Sequence, residues 1–201
     1  MSSIPDPPVF ARPDRPPLPQ TPPSGTWPLT AASIAGGAVA LALGAYGRVH
    51  EPTGDDIATF GFPAVLPMKA WFGTAVLALA LGQLVSALAL WGRLPGGRSA
   101  PGWLAPVHRW SGTAAFVVSL PVAYHCLWSL GFRDTDARVL AHSLLGCAFY
   151  GAFAIKLLAL RIDGLPRWGL PVIGGLLVTC VTGLWLTSSL WFFMNVGFPG
   201  V

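Results

Sequence analysis

Residues 168–201 read WGLPVIGGLLVTCVTGLWLTSSLWFFMNVGFPGV and contain no Asp, Glu, Lys or Arg. An uncharged apolar run of about 20 residues is long enough to cross a bilayer as a helix. The same signal recurs towards the N-terminus, where Arg15 and Arg48 are separated by 32 uncharged positions. Over all 201 residues 53% are hydrophobic and 10% are charged, whereas an ordinary soluble domain carries about a quarter charged residues. Twenty charges (twelve basic, eight acidic) cannot cover a water-soluble globule of 21.1 kDa. This composition excludes a soluble enzyme and predicts an all-α integral membrane protein.

Five spans are expected, at about 28–47, 68–91, 110–131, 138–159 and 168–193, forming one bundle over residues 28–201. Residues 1–27 hold nine of the twenty prolines and offer almost nothing to bury, so a disordered, polyproline-like tail is expected there. No basic start leads into an apolar core, so no signal peptide is expected. Gly36, Gly37, Ala40 and Gly44 suit close helix contact in lipid. With the N-terminus inside, eight basic residues fall on cytoplasmic segments (Arg12, Arg15, Arg93, Arg98, Arg109, Lys156, Arg161, Arg167). Four (Arg48, Lys69, Arg133, Arg138) fall outside. The positive-inside rule then predicts N-terminus in and C-terminus out, in a bacterial plasma membrane. Eight of nine tryptophans lie near span ends, as an aromatic belt requires; Trp185 is the exception.

The net charge of +4 is spread singly between apolar runs, so no nucleic-acid partner is expected. Cys126, Cys147 and Cys180 have no C-x-x-C spacing and read as small core residues, with a Cys126–Cys147 pair as the minor alternative. Lys156, one turn from a span end, reads as a snorkelling side chain, and His50 as solvated loop.

Ionisable groups within spans carry function by default, which singles out His125 and His142. The connection between spans three and four is short, so these form an antiparallel hairpin with both imidazoles within ~5 Å of one depth. Two imidazoles at one level suit the axial positions of a single b-type haem, provided the hairpin splays beyond the usual 8–10 Å or Met68 or Met194 replaces one of them. The alternatives are a hydrogen-bonded pair in a non-catalytic structural or accessory subunit, or a substrate or proton path. His108 lies seventeen residues, ~25 Å, before His125; with Arg109 it reads as an interface or quinone site. A transporter reading finds little support, since five spans do not divide into two repeats.

His108-Arg109-Trp110-Ser111-Gly112 and His142-Ser143-Leu144-Leu145-Gly146 both read H-x-x-x-G at the start of a span. The pattern resembles the haem-binding helices of transmembrane b-type cytochromes of the ascorbate-dependent and ferric-reductase-like group. That resemblance implies haem b, with Gly146 leaving room beside His142, and electron exchange with a quinone or a partner redox protein. The histidines suffice for one haem rather than a pair. The segments HRWSG (108–112), PVAYHCLWSLGF (121–132), AHSLLGCAFYGAFAIK (141–156) and GLWLTSSLWFF (183–193) more closely resemble an uncharacterised actinobacterial family of multi-pass membrane proteins.

Overall fold

A computed structural model describes residues 27–95 and 99–197; the proline-rich tail over 1–26 lies outside the described residues. All regular structure among them is helical: α1 Trp27–Val49, α2 Val65–Leu90, α3 Leu104–Tyr124, α4 Ala137–Ala159, α5 Gly169–Trp185 and a short α6, Trp191–Asn195. π-helical turns follow α3 (His125–Ser129) and join α5 to α6 (Leu186–Leu190). Four segments (α1, α2, α4 and the stretch Gly169–Asn195) are long and apolar enough to cross a membrane. α3 is of similar length but interrupted by His108, Arg109 and several hydroxyls. Much apolar surface faces outwards, as at Ile34, Leu41, Val85 and Val117, an expanse that a monomer in water does not sustain and lipid covers. The eight tryptophans expected at span ends are all exposed, while Trp185 turns inward and donates to the Thr74 hydroxyl (3.0 Å).

The helices run alternately up and down, with neighbours in the order α1, α4, α5, α2, α3. The apolar core joins α2, α4 and α5 through Val76, Ala80, Phe149, Ala152, Ile173, Leu177 and Val181. α1 reaches α4 through two glycines. A Cβ on Gly36 would stand 2.5 Å from the Gly151 carbonyl oxygen, and one on Gly151 would stand 2.6 Å from that of Gly36. The expected small-residue contact therefore forms at Gly36, whereas Gly37 faces open space.

α3 and α4 are antiparallel but do not pack backbone to backbone. Aromatic side chains hold them apart: Phe116 stacks on Phe153 (centroids 4.2 Å apart, planes at 8°), and Ser119 and Tyr150 share a hydroxyl hydrogen bond of 2.9 Å. The hairpin is splayed, and cavities occupy the gap. At its end the connection docks on α1, with Phe132 N–H donating to the Gly47 carbonyl at 2.7 Å. Gly131 has φ +69° and passes within 3.2 Å of that carbonyl at its would-be Cβ, so only glycine fits without strain. The Asp136 carboxylate caps α4 by accepting from Val139 N–H (2.9 Å).

An ion pair, Arg48 to Asp134 at 2.7 Å, ties α1 to the same connection with side chains 58% and 48% exposed. Exposed pairs contribute ~0–1 kcal/mol. Arg48→Gln is therefore expected to shift thermal stability in detergent by less than about 1 kcal/mol, and a larger loss would show that the pair lies in a drier setting.

Candidate functional site

The two histidines singled out by the sequence part company. Pro121 removes one backbone donor inside α3 and the helix widens into a π turn at His125, with Leu130 N–H reaching back to the His125 carbonyl (3.0 Å). His125 is 1% exposed. Its Nδ1 meets the Pro121 carbonyl at 2.7 Å, and its Nε2 meets the carbonyl of Ile57 in the α1–α2 connection. Around it that connection pairs with the π turn: Thr53 N–H donates to Trp128 O (3.3 Å), Gly54 N–H to Ser129 O (3.1 Å), and the Ser129 hydroxyl to Asp55 O (2.8 Å). His125 is a latch between a loop and a helix end.

His142 faces the gap between α3 and α4. Its Nδ1 lies 3.0 Å from Thr187 Oγ1, and the Thr187 hydroxyl gives its one proton to the Gly183 carbonyl (2.7 Å). Thr187 Oγ1 must therefore accept from Nδ1–H, which leaves Nε2 as the bare nitrogen. The Cys126 thiol and the Lys69 side chain border the same cavities as the His142 imidazole. The two π turns supply the parts, Cys126 from the first and Thr187 from the second. Hydroxyl side chains bonding back to carbonyls four residues earlier, as Thr187 and Ser188 do, favour such a widening.

Two cavities meet at this cluster. One of about 150 Å³ is walled by Leu43, Leu127, Leu130 and Val139, and one of about 90 Å³ by Ser119, Trp185 and Ser188; Lys69, Cys126, His142 and Tyr150 border both. Gly146 lines the first, and a Cβ there would meet only Leu184 at 4.0 Å.

A third cavity, of about 330 Å³, lies at the opposite end between α2, α3, α4 and α5. His108, Gln83, Lys156 and Arg93 gather there against Trp91, Phe116, Phe149 and Phe153. His108 Nδ1 is 2.7 Å from Ser86 Oγ, whose proton goes to the Gly82 carbonyl (2.7 Å). The ring therefore donates from Nδ1 and keeps Nε2 unprotonated. Gln83 spends its amide N–H groups on the His108 carbonyl and Ser111 Oγ, and its Oε1 fills the space beside Gly112.

The residues do not fit a haem between His125 and His142. Each His125 nitrogen abuts a carbonyl oxygen, leaving no lone pair open to iron, and His125 borders neither cavity that His142 borders. Those cavities also fall below the ~300 Å³ of ordinary cofactor pockets. Nor do the two histidines bond to each other; each has its own partners. Met68 is fully buried and Met194 is 75% exposed, and neither borders a described cavity. Among the described residues no three His, Cys, Asp or Glu side chains converge as metal ligands.

Other expectations change as well. Arg109 is exposed and stays out of the third cavity, where Arg93 and Lys156 supply the positive charge. Lys156 is half-buried and borders the third cavity. His50 is not solvated loop: it stacks on Tyr46 and packs at a tilt against Trp128, at centroid distances of 5.1 and 4.5 Å. The three cysteines are free thiols. Cys126 and Lys69 were not legible as site residues; the available signals were a cysteine beside a buried histidine and a lone cation in the first turns of an apolar run.

The chain belongs to a family of unknown function, DUF6529, whose model matches residues 29–200. That agrees with the resemblance to an uncharacterised membrane family and carries no statement of activity. No curated protein and no solved structure matches the chain.

Proposed function

We propose that this integral membrane protein binds a lipid-soluble quinone or its quinol beside His108. The observation that carries this reading is the 330 Å³ cavity with its polar groups gathered among aromatic walls, the composition of a small-molecule site in a bundle. Lys156 and Arg93 donate to carbonyl oxygens, while His108 Nε2 and Gln83 Oε1 accept from hydroxyls. A quinone–quinol head group offers both, and its isoprenoid tail suits the lining of Leu84, Leu88 and Val178. A partner redox protein would exchange electrons with the bound quinone.

The charge asymmetry supports an N-terminus inside, and the resemblance to an actinobacterial family supports a bacterial plasma membrane. Lys156 and Lys69 point into cavities and leave the count from opposite sides, so eight minus one is seven against four minus one, three. The bias survives. The quinone site then lies near the cytoplasmic face.

Decylubiquinone titrated into the purified full chain is expected to quench tryptophan emission, since Trp91 lines the cavity. His108→Ala and Lys156→Met should each weaken binding by roughly tenfold, the loss of one hydrogen bond of ~1.4 kcal/mol. Gly175→Leu, which fills open space on the cavity wall, should abolish it. Equal competition by a fatty acid or a phosphatidic acid would redirect the site to an anionic lipid. A reduced-minus-oxidised b-type spectrum in the same preparation would restore a haem reading.

A further inference from the structure

The cluster around Cys126 is separate from the quinone cavity and stands whether or not that cavity binds quinone. We propose that it is an acyl-transfer site within the membrane, with Cys126 as nucleophile, His142 as its base and Lys69 as the cation that stabilises charge on the reacting atoms. The substrate class is a lipid-soluble acyl ester or thioester.

Four features support this. Thr187 holds the His142 tautomer with Nε2 bare, and His142 shares both cavities with Cys126; a nucleophile needs an oriented base of this kind. Lys69 is the cation that shares both cavity walls with Cys126, on the side where negative charge would develop on sulfur and on a carbonyl oxygen. The cavities at Cys126 have apolar walls of Leu43, Leu127, Leu130 and Val139, which suit an alkyl chain arriving from the bilayer. π turns within helices recur at functional sites, and here two of them deliver Cys126 and Thr187 to one place.

The chemistry balances without a further reagent. The Cys126 S–H proton passes to His142 Nε2 as sulfur bonds to the acyl carbonyl carbon. The bond to the leaving alkoxide or thiolate breaks, and the leaving group takes the proton from His142. The products are a thioester on Cys126 and a free alcohol or thiol. An acceptor hydroxyl, amine or water then attacks that thioester, giving its proton to His142, and the Cys126 thiol is regenerated.

p-Nitrophenyl octanoate is the probe, applied to the full chain in detergent micelles and in liposomes. The expected result is a burst of one p-nitrophenolate per chain, with one octanoyl group on Cys126 that hydroxylamine removes. Cys126→Ser should lose the burst. His142→Gln keeps an amide for Thr187 but supplies no base, and should slow acylation by at least 100-fold, the scale of general-base catalysis. Lys69→Met should slow it about tenfold, and Lys69→Arg should recover most of that. Acylation at Cys147 or Cys180 instead, or an unchanged rate in His142→Gln, would overturn the proposal. So would a Cys126–Cys147 disulfide as the sole product of the wild-type chain. Mapping the acyl group in the wild-type chain decides the matter even where a variant does not fold.

Discussion

Gly36→Ala is expected to lower the thermal stability of the bundle in detergent, while Gly37→Ala, one position along, is expected to leave it unchanged or raise it. The substitutions are chemically identical and sit in the same helix. Alanine improves helix propensity by ~0.8–1.0 kcal/mol in either place. At Gly37 nothing lies within 4 Å of the new methyl, so that gain stands alone. At Gly36 the methyl would sit 2.5 Å from the Gly151 carbonyl oxygen and collide with the Ile155 side chain. A side chain can rotate away, but a carbonyl in the opposing backbone cannot, so α1 must move off α4. Overpacking of this kind costs ~1–3 kcal/mol. Gly151→Ala should behave like Gly36→Ala, because its methyl would meet Gly36 O at 2.6 Å and Ala40 Cβ at 2.9 Å. The double variant should cost less than the sum, since one separation relieves both clashes. Equal melting temperatures for Gly36→Ala and Gly37→Ala would refute the close crossing.

His125→Ala is expected to destabilise the chain by about 2–4 kcal/mol and to release the 53–57 segment from the π turn. The imidazole bridges the carbonyls of Pro121 and Ile57 in a buried setting. One ring N–H can serve only one of these carbonyls, so removing the imidazole leaves one acceptor unpaired at ~1–3 kcal/mol, besides a cavity. Hydrogen exchange reads the loss directly: the Thr53 and Gly54 amides, which donate to the π turn, should exchange at least tenfold faster. His142→Ala is the control. Its imidazole does not touch that segment, so the two amides should keep their protection while acylation at Cys126 fails. Axial ligands of one haem would instead be lost together, with the same spectral change from either substitution. Divergent behaviour of the two variants is the signature of the packing described here.

Much of the fold was readable because bilayer physics leaves few choices. The uncharged run after Arg167 and the apolar stretches before it demand helices, and the expected boundaries lie within a few residues of α1, α2, α4 and the stretch Gly169–Asn195. α3 starts six residues earlier than the span expected at 110, at Leu104, because a helix need not stop where its apolar part stops. The depth of His125 and His142 near one end was also readable from a rise of 1.5 Å per residue. Their directions were not. The π turn inserts an extra residue per turn from His125 onward, and Cys126 rather than His125 borders the cavities beside α4; no periodicity rule anticipates that phase change.

The amino-acid sequence by itself determined the class, the number of long helices, the tryptophan positions at the surface and the glycine face of α1. Each follows from the cost of exposing backbone or charge to hydrocarbon, which acts on every residue locally. Tertiary structure alone decided that α3 and α4 stand apart, that Lys69 and Lys156 turn into cavities, and that Cys126, His142 and Thr187 meet. Those outcomes depend on which helices become neighbours, and in lipid that choice rests on close packing and interhelical hydrogen bonds between residues distant in the chain. Gly36 on Gly151 and Trp185 on Thr74 are contacts of this kind, and they place the cluster.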